Sequence, residues 1–185
     1  MSDIFRELFI KSFSGEITNE ERQQATEELI MMYKNPQSSL DILQFLLSEP
    51  EPLIRRAASI GLKKSLKINW KNFISQSEFH EPVKEAIINL YQNETDQLNR
   101  HLIVIASKPI FRTDACDWPQ LFEFVTFLTN DKTQLHLIEF ALYLISWFSS
   151  SLSEDLLQAN LPFFLSLIDF SFETLNQELI DTACG

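Results

Sequence analysis

Apolar side chains recur through most of the chain at the spacing of one face of an α-helix. The first clear run comprises Ala25, Leu29, Met32 and Tyr33. The same spacing returns at Val83, Ile87, Leu90 and Tyr91, at Leu98, Leu102, Ile105 and Ala106, and at Leu121, Val125 and Leu128. No long segment alternates between apolar and polar residues with the period of two that strands show. The pattern therefore predicts a succession of amphipathic helices.

Prolines divide this succession into intervals of similar length. Pro36, Pro82 and Pro119 each stand at a plausible first helical position, where the missing N–H costs nothing. The helix near Pro162 begins either at that proline or near Ser153 with a bend at the proline. The intervals between the four prolines are 46, 37 and 43 residues, close to the roughly 40 to 47 residue period of HEAT and armadillo repeats.

The predicted fold is an all-α, right-handed α-solenoid of HEAT-type helical hairpins with about four and a half repeats. We expect a leading helix over 2–13 and a ninth repeat helix starting near Phe172. The paired A and B helices are expected at 20–33 and 36–48, 52–67 and 81–92, 95–109 and 118–129, and 132–149 and 154–169. Because a solenoid normally needs polar terminal repeats and none follows here, we expect 1–185 to be the N-terminal segment of a longer solenoid.

The charge balance restricts the class of partner. The 185-residue chain has 26 acidic and 15 basic residues, giving a net charge of −11. This charge repels the phosphate backbone, so we expect no direct binding of nucleic acid. The largest basic cluster, Lys63, Lys64, Lys67 and Lys71, is small and fits a solvated helix face. An acidic surface suits basic protein partners instead.

Residues with catalytic or metal-binding potential are scattered. Only three glycines are present, which disfavours loops that cradle phosphates. His80, His101 and His136 stand on different predicted elements, with no second His or Cys at a metal-ligand spacing. The run 149–151 of three serines has no nucleophile-elbow context. We expect no enzymatic activity, no cofactor and no metal.

Cysteine usage and hydropathy bear on the compartment. Cys116 and Cys184 are too few for a disulfide framework, which indicates a reducing environment. The first ten residues include three charged ones and so lack the apolar core of a signal peptide. The longest apolar stretch, 135–148, falls short of the roughly 20 residues that span a bilayer. We expect a soluble intracellular protein with no membrane insertion.

The segment from Glu51 to Trp70 has a more specific pattern than the helical period. An acidic turn leads to I-R-x-x-A-S-x-x-L-K-x-x-L and a later tryptophan. This resembles the N-terminal signature of the importin-β (karyopherin-β) family, and Ser59 stands where alanine is commoner. The positions that fill the signature are Ile54, Arg55, Ala58, Leu62, Lys63 and Leu66.

Two further matches extend the resemblance. Trp118-Pro119-Gln120-Leu121 is similar to the W-P-x-L that opens the third B helix of the family. Ala25 and Leu29 followed by Asn35-Pro36 fit the first hairpin of the family. The importin-β-like region then covers about 20–129, and the remaining residues follow only the repeat period.

The resemblance implies a nuclear transport receptor that shuttles between cytoplasm and nucleus through the nuclear pore. Members of the family bind the GTP form of the small GTPase Ran through their N-terminal hairpins, contact Phe-Gly nucleoporins and carry protein cargo. For this acidic chain we expect basic protein cargo. Its identity and the direction of transport are left open.

The resemblance also suggests where Ran would bind. The family uses the concave face of the first hairpins, so exposed positions on the predicted B helices are candidates, and Lys63 occupies the signature lysine. The Ran-binding candidates are Lys63, Asp41, Gln44, Lys84, Tyr91, Glu123 and Thr126. For Trp70, Trp118 and Trp147 we expect places in the core rather than at an interface.

A HEAT scaffold of another class is the alternative. A phosphatase regulatory subunit would have more regular repeats. A tubulin-binding domain would call for basic residues at several loops, which this chain lacks.

Overall fold

The computed structural model describes residues 2–74, 77–174 and 181–182, and the side chains of these residues except those of 2, 71–74 and 77. All regular structure in these ranges is helical, which confirms the all-α class. The α-helices are α1 (Ser2–Phe13), α2 (Asn19–Tyr33), α3 (Gln37–Ser48), α4 (Pro52–Ile74), α5 (Ser77–Asn93), α6 (Gln97–Ala106), α7 (Lys108–Asp114), α8 (Pro119–Leu128), α9 (Leu135–Phe148) and α10 (Glu154–Glu173). The chain forms two compact units, Met1–Pro109 and Ile110–Gly185.

Several helices begin where a polar side chain satisfies the first free N–H groups. Thr18 caps α2 in a capping box, since its Oγ1 accepts from the Glu21 N–H and the Glu21 carboxylate accepts from the Thr18 N–H. Asp96 caps α6 by accepting from the N–H of Asn99 at 2.9 Å. Ser153 caps α10. Each such cap is worth about 1 kcal/mol and defines where the helix starts.

The predicted helix 95–109 is wrong in one respect, because the structure divides it at Ser107. The N–H of Ser107 donates to the carbonyls of Ile103 and Val104 and ends α6. Pro109 has no N–H to continue that helix, but it fits the first turn of α7. Sequence reasoning missed α7 because it is short.

Several other boundaries also differ from the prediction. α4 ends at Ile74 rather than at 67, α9 begins at Leu135 rather than at 132, and α10 ends at Glu173 rather than at 169. Pro82 lies inside α5, which begins at Ser77 rather than at the proline. The second alternative for Pro162 is confirmed, since α10 starts at Glu154 and runs through it. Phe172 lies within α10 and does not begin a ninth repeat helix. Most of the residues expected to form that helix lie outside the described ranges.

Within Met1–Pro109, helices that are two apart in the sequence pack against each other. α4 contacts α6, α3 contacts α5, and α3 also contacts α4. Buried polar contacts reinforce this packing: the hydroxyls of Ser39 and Ser65 are 2.7 Å apart, and Asn69 Nδ2 donates to the Tyr33 carbonyl at 2.6 Å. Stacked helical hairpins require such contacts. The right-handed solenoid over the whole chain stays a prediction.

Two buried glutamates and three arginines connect the turns between successive helical pairs. Arg6 Nε donates to Glu49 Oε2 at 3.1 Å. Arg55 donates to both carboxylate oxygens of Glu94, at 2.8 and 3.0 Å. Arg55 Nη1 also donates to the Glu49 carbonyl at 3.1 Å, and Arg100 Nη2 donates to the Glu94 carbonyl at 2.6 Å. We call these five residues the Arg–Glu ladder.

The positions of the Arg–Glu ladder recur along the chain, and its central pair, Arg55 and Glu94, is shielded from water. Glu49 and Glu94 are 45 residues apart, as are Arg55 and Arg100, a spacing within the HEAT period of roughly 40 to 47 residues. The Glu94 side chain is 3% exposed and that of Arg55 14%. Two donors from one guanidinium to one carboxylate make a charge-assisted pair of specific geometry.

Gly61 allows α1, α2 and α4 to approach closely. A Cβ at this position would lie 2.8 Å from the Tyr33 hydroxyl oxygen and 3.1 Å from the Phe9 ring. Tyr33 is buried, and this burial raises the pKa of its hydroxyl above the ordinary value of 10.0. The absence of a side chain at Gly61 therefore has a packing reason, although glycine lowers helix propensity.

Within Ile110–Gly185, aromatic rings form the centre of the core. Phe111 lies 6.0 Å from Trp118 and 6.1 Å from Phe148, measured between ring centroids. Phe122 meets Phe148 edge to face at 5.4 Å. Such arrangements add about 0.5–1.5 kcal/mol per pair beyond the area that they bury.

Two of the three tryptophans occupy the expected core positions. Trp70 and Trp118 are buried, which confirms the prediction for both. Trp147 is only half-buried and meets Tyr143 edge to face at 6.2 Å, so the prediction is wrong for this residue. A second cluster of Ile138, Leu142 and Leu167 joins α9 to α10.

We expect Arg55→Met to lower the free energy of unfolding by about 3 kcal/mol, because it leaves the buried Glu94 carboxylate without its main partner. Urea denaturation measures the change. Lys11→Met is the control, since Lys11 pairs with exposed Glu7, and it should change stability little. The double variant Arg55→Met/Glu94→Gln should recover part of the loss. A loss equal to that of the control would contradict the structural role of the ladder.

We expect Gly61→Ala to lower the free energy of unfolding by about 1 kcal/mol, because overpacking costs about 1–3 kcal/mol and the gain in helix propensity offsets about 1. Adding Tyr33→Phe removes the nearest atom and should reduce the cost of the alanine. Gly15→Ala is the control, because nothing lies within 4 Å of its added Cβ. Thermal denaturation followed by circular dichroism compares the variants, and a stabilised Gly61→Ala would refute the packing argument.

Candidate protein-binding surfaces

Four of the seven candidate positions reach solvent in pairs on two helices. Gln44 is exposed and Asp41 half-buried on α3, and Asp41 Oδ1 accepts from Gln37 Nε2 at 3.3 Å. Glu123 and Thr126 are exposed on α8, in the other unit. Residues three apart share one face of a helix, so each pair forms one small polar surface.

Lys84 and Tyr91 are buried, which corrects the expectation that they are exposed. Their exposed fractions are 2% and 1%. Lys84 Nζ donates to Glu81 Oε1 at 2.9 Å, and the Tyr91 hydroxyl donates to Ser107 Oγ at 2.8 Å. Tyr91 belongs to the apolar stripe of α5, and Lys84 precedes it by seven residues and so lies on the same side. Neither side chain is available to a partner on the surface of α5.

The exposed side of α5 carries other residues, which sequence reasoning missed. These are Glu78, Glu81, Glu85, Asn89 and Gln92. The signal was present in the sequence, because positions three and four apart that avoid the apolar stripe must face solvent. α3 and α5 pack side by side and α4 contacts both, so their exposed stripes adjoin on the side away from α4. We call Asp41, Gln44, Glu78, Glu81, Glu85, Asn89 and Gln92 the α3/α5 face, which carries four carboxylates and no basic side chain.

Lys63 lies on a different side of the first unit from Asp41 and Gln44. Ser65 faces α3, as its contact with Ser39 shows. Lys63 is two residues earlier on α4, about 200° around the helix at 3.6 residues per turn. The structure therefore does not bring Lys63 together with the candidates on α3.

The remaining signature residues are structural. The apolar ones, Ile54, Ala58, Leu62 and Leu66, are buried, and Arg55 belongs to the Arg–Glu ladder. The signature pattern thus encodes the packing of α4 and the turn before α6. Among the signature residues only Lys63 is exposed and available for contact with a partner.

No group of three or more His, Cys, Asp or Glu in the described ranges is placed to hold a metal ion. None of the helices described is both long and apolar enough to cross a bilayer. Cys116 is an exposed free thiol whose sulfur lies 3.2 Å from the Ser153 N–H. Cys184 lies outside the described residues.

We expect nuclear magnetic resonance titration to give a pKa for the Glu81 carboxyl below its ordinary value of 4.5, because Lys84 donates to the charged form. A depressed pKa stabilises the fold above pH 4.5, and this contribution is lost as the pH falls through the folded-state value. Lys84→Met should raise the pKa of Glu81. Lys63→Met should leave it unchanged, and the same rise in both variants would contradict the pairing.

The comparisons with known proteins identify one distant similarity. Human "Importin-4" is 25% identical to this chain over 124 residues, which is 66% of this chain and 11% of Importin-4. No family model matches the chain, and no solved structure matches it. The chain thus spans about a tenth of the length of this relative, and the similarity points to a distant importin-like relationship for an all-helical protein.

Proposed function

We propose that this chain is the N-terminal HEAT-repeat segment of a nuclear transport receptor of the importin-β type, and that it binds Ran in its GTP form. The observation that carries the proposal is the similarity to Importin-4 over 66% of the chain. The signature residues on α4 support it, because they pack as a helix inside stacked helical pairs should. Protein binding rather than catalysis is then the role of the segment.

The α3/α5 face is the proposed contact for Ran. Asp41 and Gln44 are retained from the sequence-based candidates, and Glu81 and Glu85 take the place of Lys84 and Tyr91. The negative charge of the α3/α5 face suits the basic side chains of a partner protein, because complementary potentials steer association and select partners. The same negative charge supports the proposal that the cargo is a basic protein. If Lys63 also contacts Ran, then Ran must reach a second area, on the other side of α4.

The remaining parts of the proposal rest on the importin-like relationship. They comprise a right-handed solenoid continued by further repeats, contact with Phe-Gly nucleoporins, and movement between cytoplasm and nucleus. A HEAT scaffold of another class is the alternative, since paired helices joined by the Arg–Glu ladder would serve it equally. Selective recognition of the GTP form of Ran distinguishes the two.

We expect the 185-residue chain, immobilised for biolayer interferometry, to bind Ran loaded with a non-hydrolysable GTP analogue and not Ran loaded with GDP. Asp41→Lys/Gln44→Lys should weaken binding by at least about tenfold, in line with the roughly 1–3 kcal/mol that a close charge reversal costs. Gln24→Lys/Glu27→Lys on α2 is the control, because it changes the net charge by the same amount.

Lys63→Glu tests the other side of α4 separately. Loss of binding in this variant as well would show that Ran contacts both sides of the helix. Equal binding of both nucleotide forms, or no binding of either at about 100 μM, would count against Ran recognition and favour another class of scaffold.

A further inference from the structure

A small apolar groove opens where α1, α2 and α4 meet, and Lys64 is one of its lining residues. It encloses about 120 Å³. Phe9, Tyr33 and Gly61 form its base, and the missing side chain of Gly61 leaves the space open. Pockets for whole small molecules measure about 300–1,000 Å³. This groove has room for a single apolar side chain.

Apolar residues at the rim of the groove remain in contact with water. Phe13 is 64% exposed, Ile30 41% and Ile60 38%. These three side chains come from three different helices and all line the groove. An exposed aromatic residue beside two aliphatic ones is typical of a surface that anchors a partner side chain.

Three exposed lysines of α4 form no ion pair, and one of them lines the groove. Lys64 is the lining residue, and Lys67, three residues further along α4, is exposed on the same face. Lys63 is exposed one turn before Lys67. In the described part of the chain none of the three has a carboxylate oxygen within 4.0 Å, whereas Arg6, Arg55 and Arg56 all have one. We call Lys63, Lys64 and Lys67 the lysine stripe.

The lysine stripe is unusual in a chain of net charge −11. Unpaired cations beside an apolar groove attract a ligand that offers carboxylates and one apolar side chain. The opposite wall favours one orientation, because Glu27, one turn before Ile30 on α2, is exposed and acidic. The carboxylates of such a ligand would therefore lie over α4.

We propose that the groove between α1, α2 and α4 binds an acidic segment of a partner protein, with a Phe or Leu of that segment in the groove and its carboxylates on the lysine stripe. The surface is separate from the α3/α5 face. The proposal does not depend on Ran binding, and a protein that carries both surfaces could bind two partners at once.

The test uses fluorescence anisotropy with the 185-residue chain and a labelled peptide of about twelve residues, made of Asp and Glu with one central Phe. The peptide should bind, and its affinity should fall about tenfold or more between 50 and 300 mM salt, because exposed charges are screened. Lys64→Glu/Lys67→Glu should weaken binding at least about tenfold, and Phe13→Ala about fivefold or more.

Arg112→Glu/Lys132→Glu is the matched control. Both residues are exposed in the second unit, and the variant has the same net charge as Lys64→Glu/Lys67→Glu. It should bind the peptide to within about threefold of the unchanged chain. Circular dichroism and thermal denaturation establish that each variant is folded before its affinity is compared.

Four further probes identify the occupant. A peptide with Ser in place of every acidic residue, and the acidic peptide with Ala in place of Phe, should each bind at least about tenfold more weakly than the parent. Equal binding of the Ser peptide, or of an uncharged Phe-Gly peptide, would overturn the role of the lysine stripe. Tighter binding of a single-stranded RNA that is lost in Lys64→Glu/Lys67→Glu would replace the acidic protein segment by nucleic acid.

The two proposals can fail separately. Lys64→Glu/Lys67→Glu leaves the α3/α5 face unchanged and should retain Ran binding, and Asp41→Lys/Gln44→Lys should retain peptide binding. No binding of the acidic peptide at about 500 μM, or equal affinity in the lysine and control variants, would overturn the acidic-segment proposal. This conclusion would hold whether or not the chain binds Ran.

Discussion

The packing of the first unit depends on a pair of charges that are shielded from water. Arg55 joins the Glu94 carboxylate to the carbonyl of Glu49, and so ties the turn before α4 to the turn before α6. A carboxylate that is 3% exposed needs such a partner, because an unpaired buried charge costs several kcal/mol. The ladder thereby connects successive turns, and its Glu and Arg positions recur 45 residues apart along the chain.

The packing of the helices determines which side of each helix reaches solvent. With α3, α4 and α5 in mutual contact, the outer stripes of α3 and α5 form one acidic face, while α4 turns its lysines to another side. One compact unit therefore offers two surfaces of opposite charge. Two surfaces of opposite charge can select different partners, because complementary potentials steer association and disfavour partners of the same charge.

Local patterns predicted the elements better than the surfaces. The apolar periodicity located α1, α2 and α3 to within one residue, since a helix start depends on neighbours such as Thr18 and Glu21. α7 was missed, because a short helix after a proline has no room to show a period. The ladder was also visible in principle, as a Glu followed six residues later by an Arg at a spacing of 45, but its meaning required the contact between turns.

The sequence by itself determined the helical class and the resemblance carried by α4, because these depend on residues close together along the chain; the repeat length stays a prediction. Only the tertiary structure decided that Lys84 and Tyr91 are buried, that Lys63 lies on another side of α4 from the contact with α3, and that Gly61 leaves a groove lined by Lys64. Such facts depend on which helix packs against which. The contacts that set this join residues 43 and 39 positions apart, where local propensity carries no information.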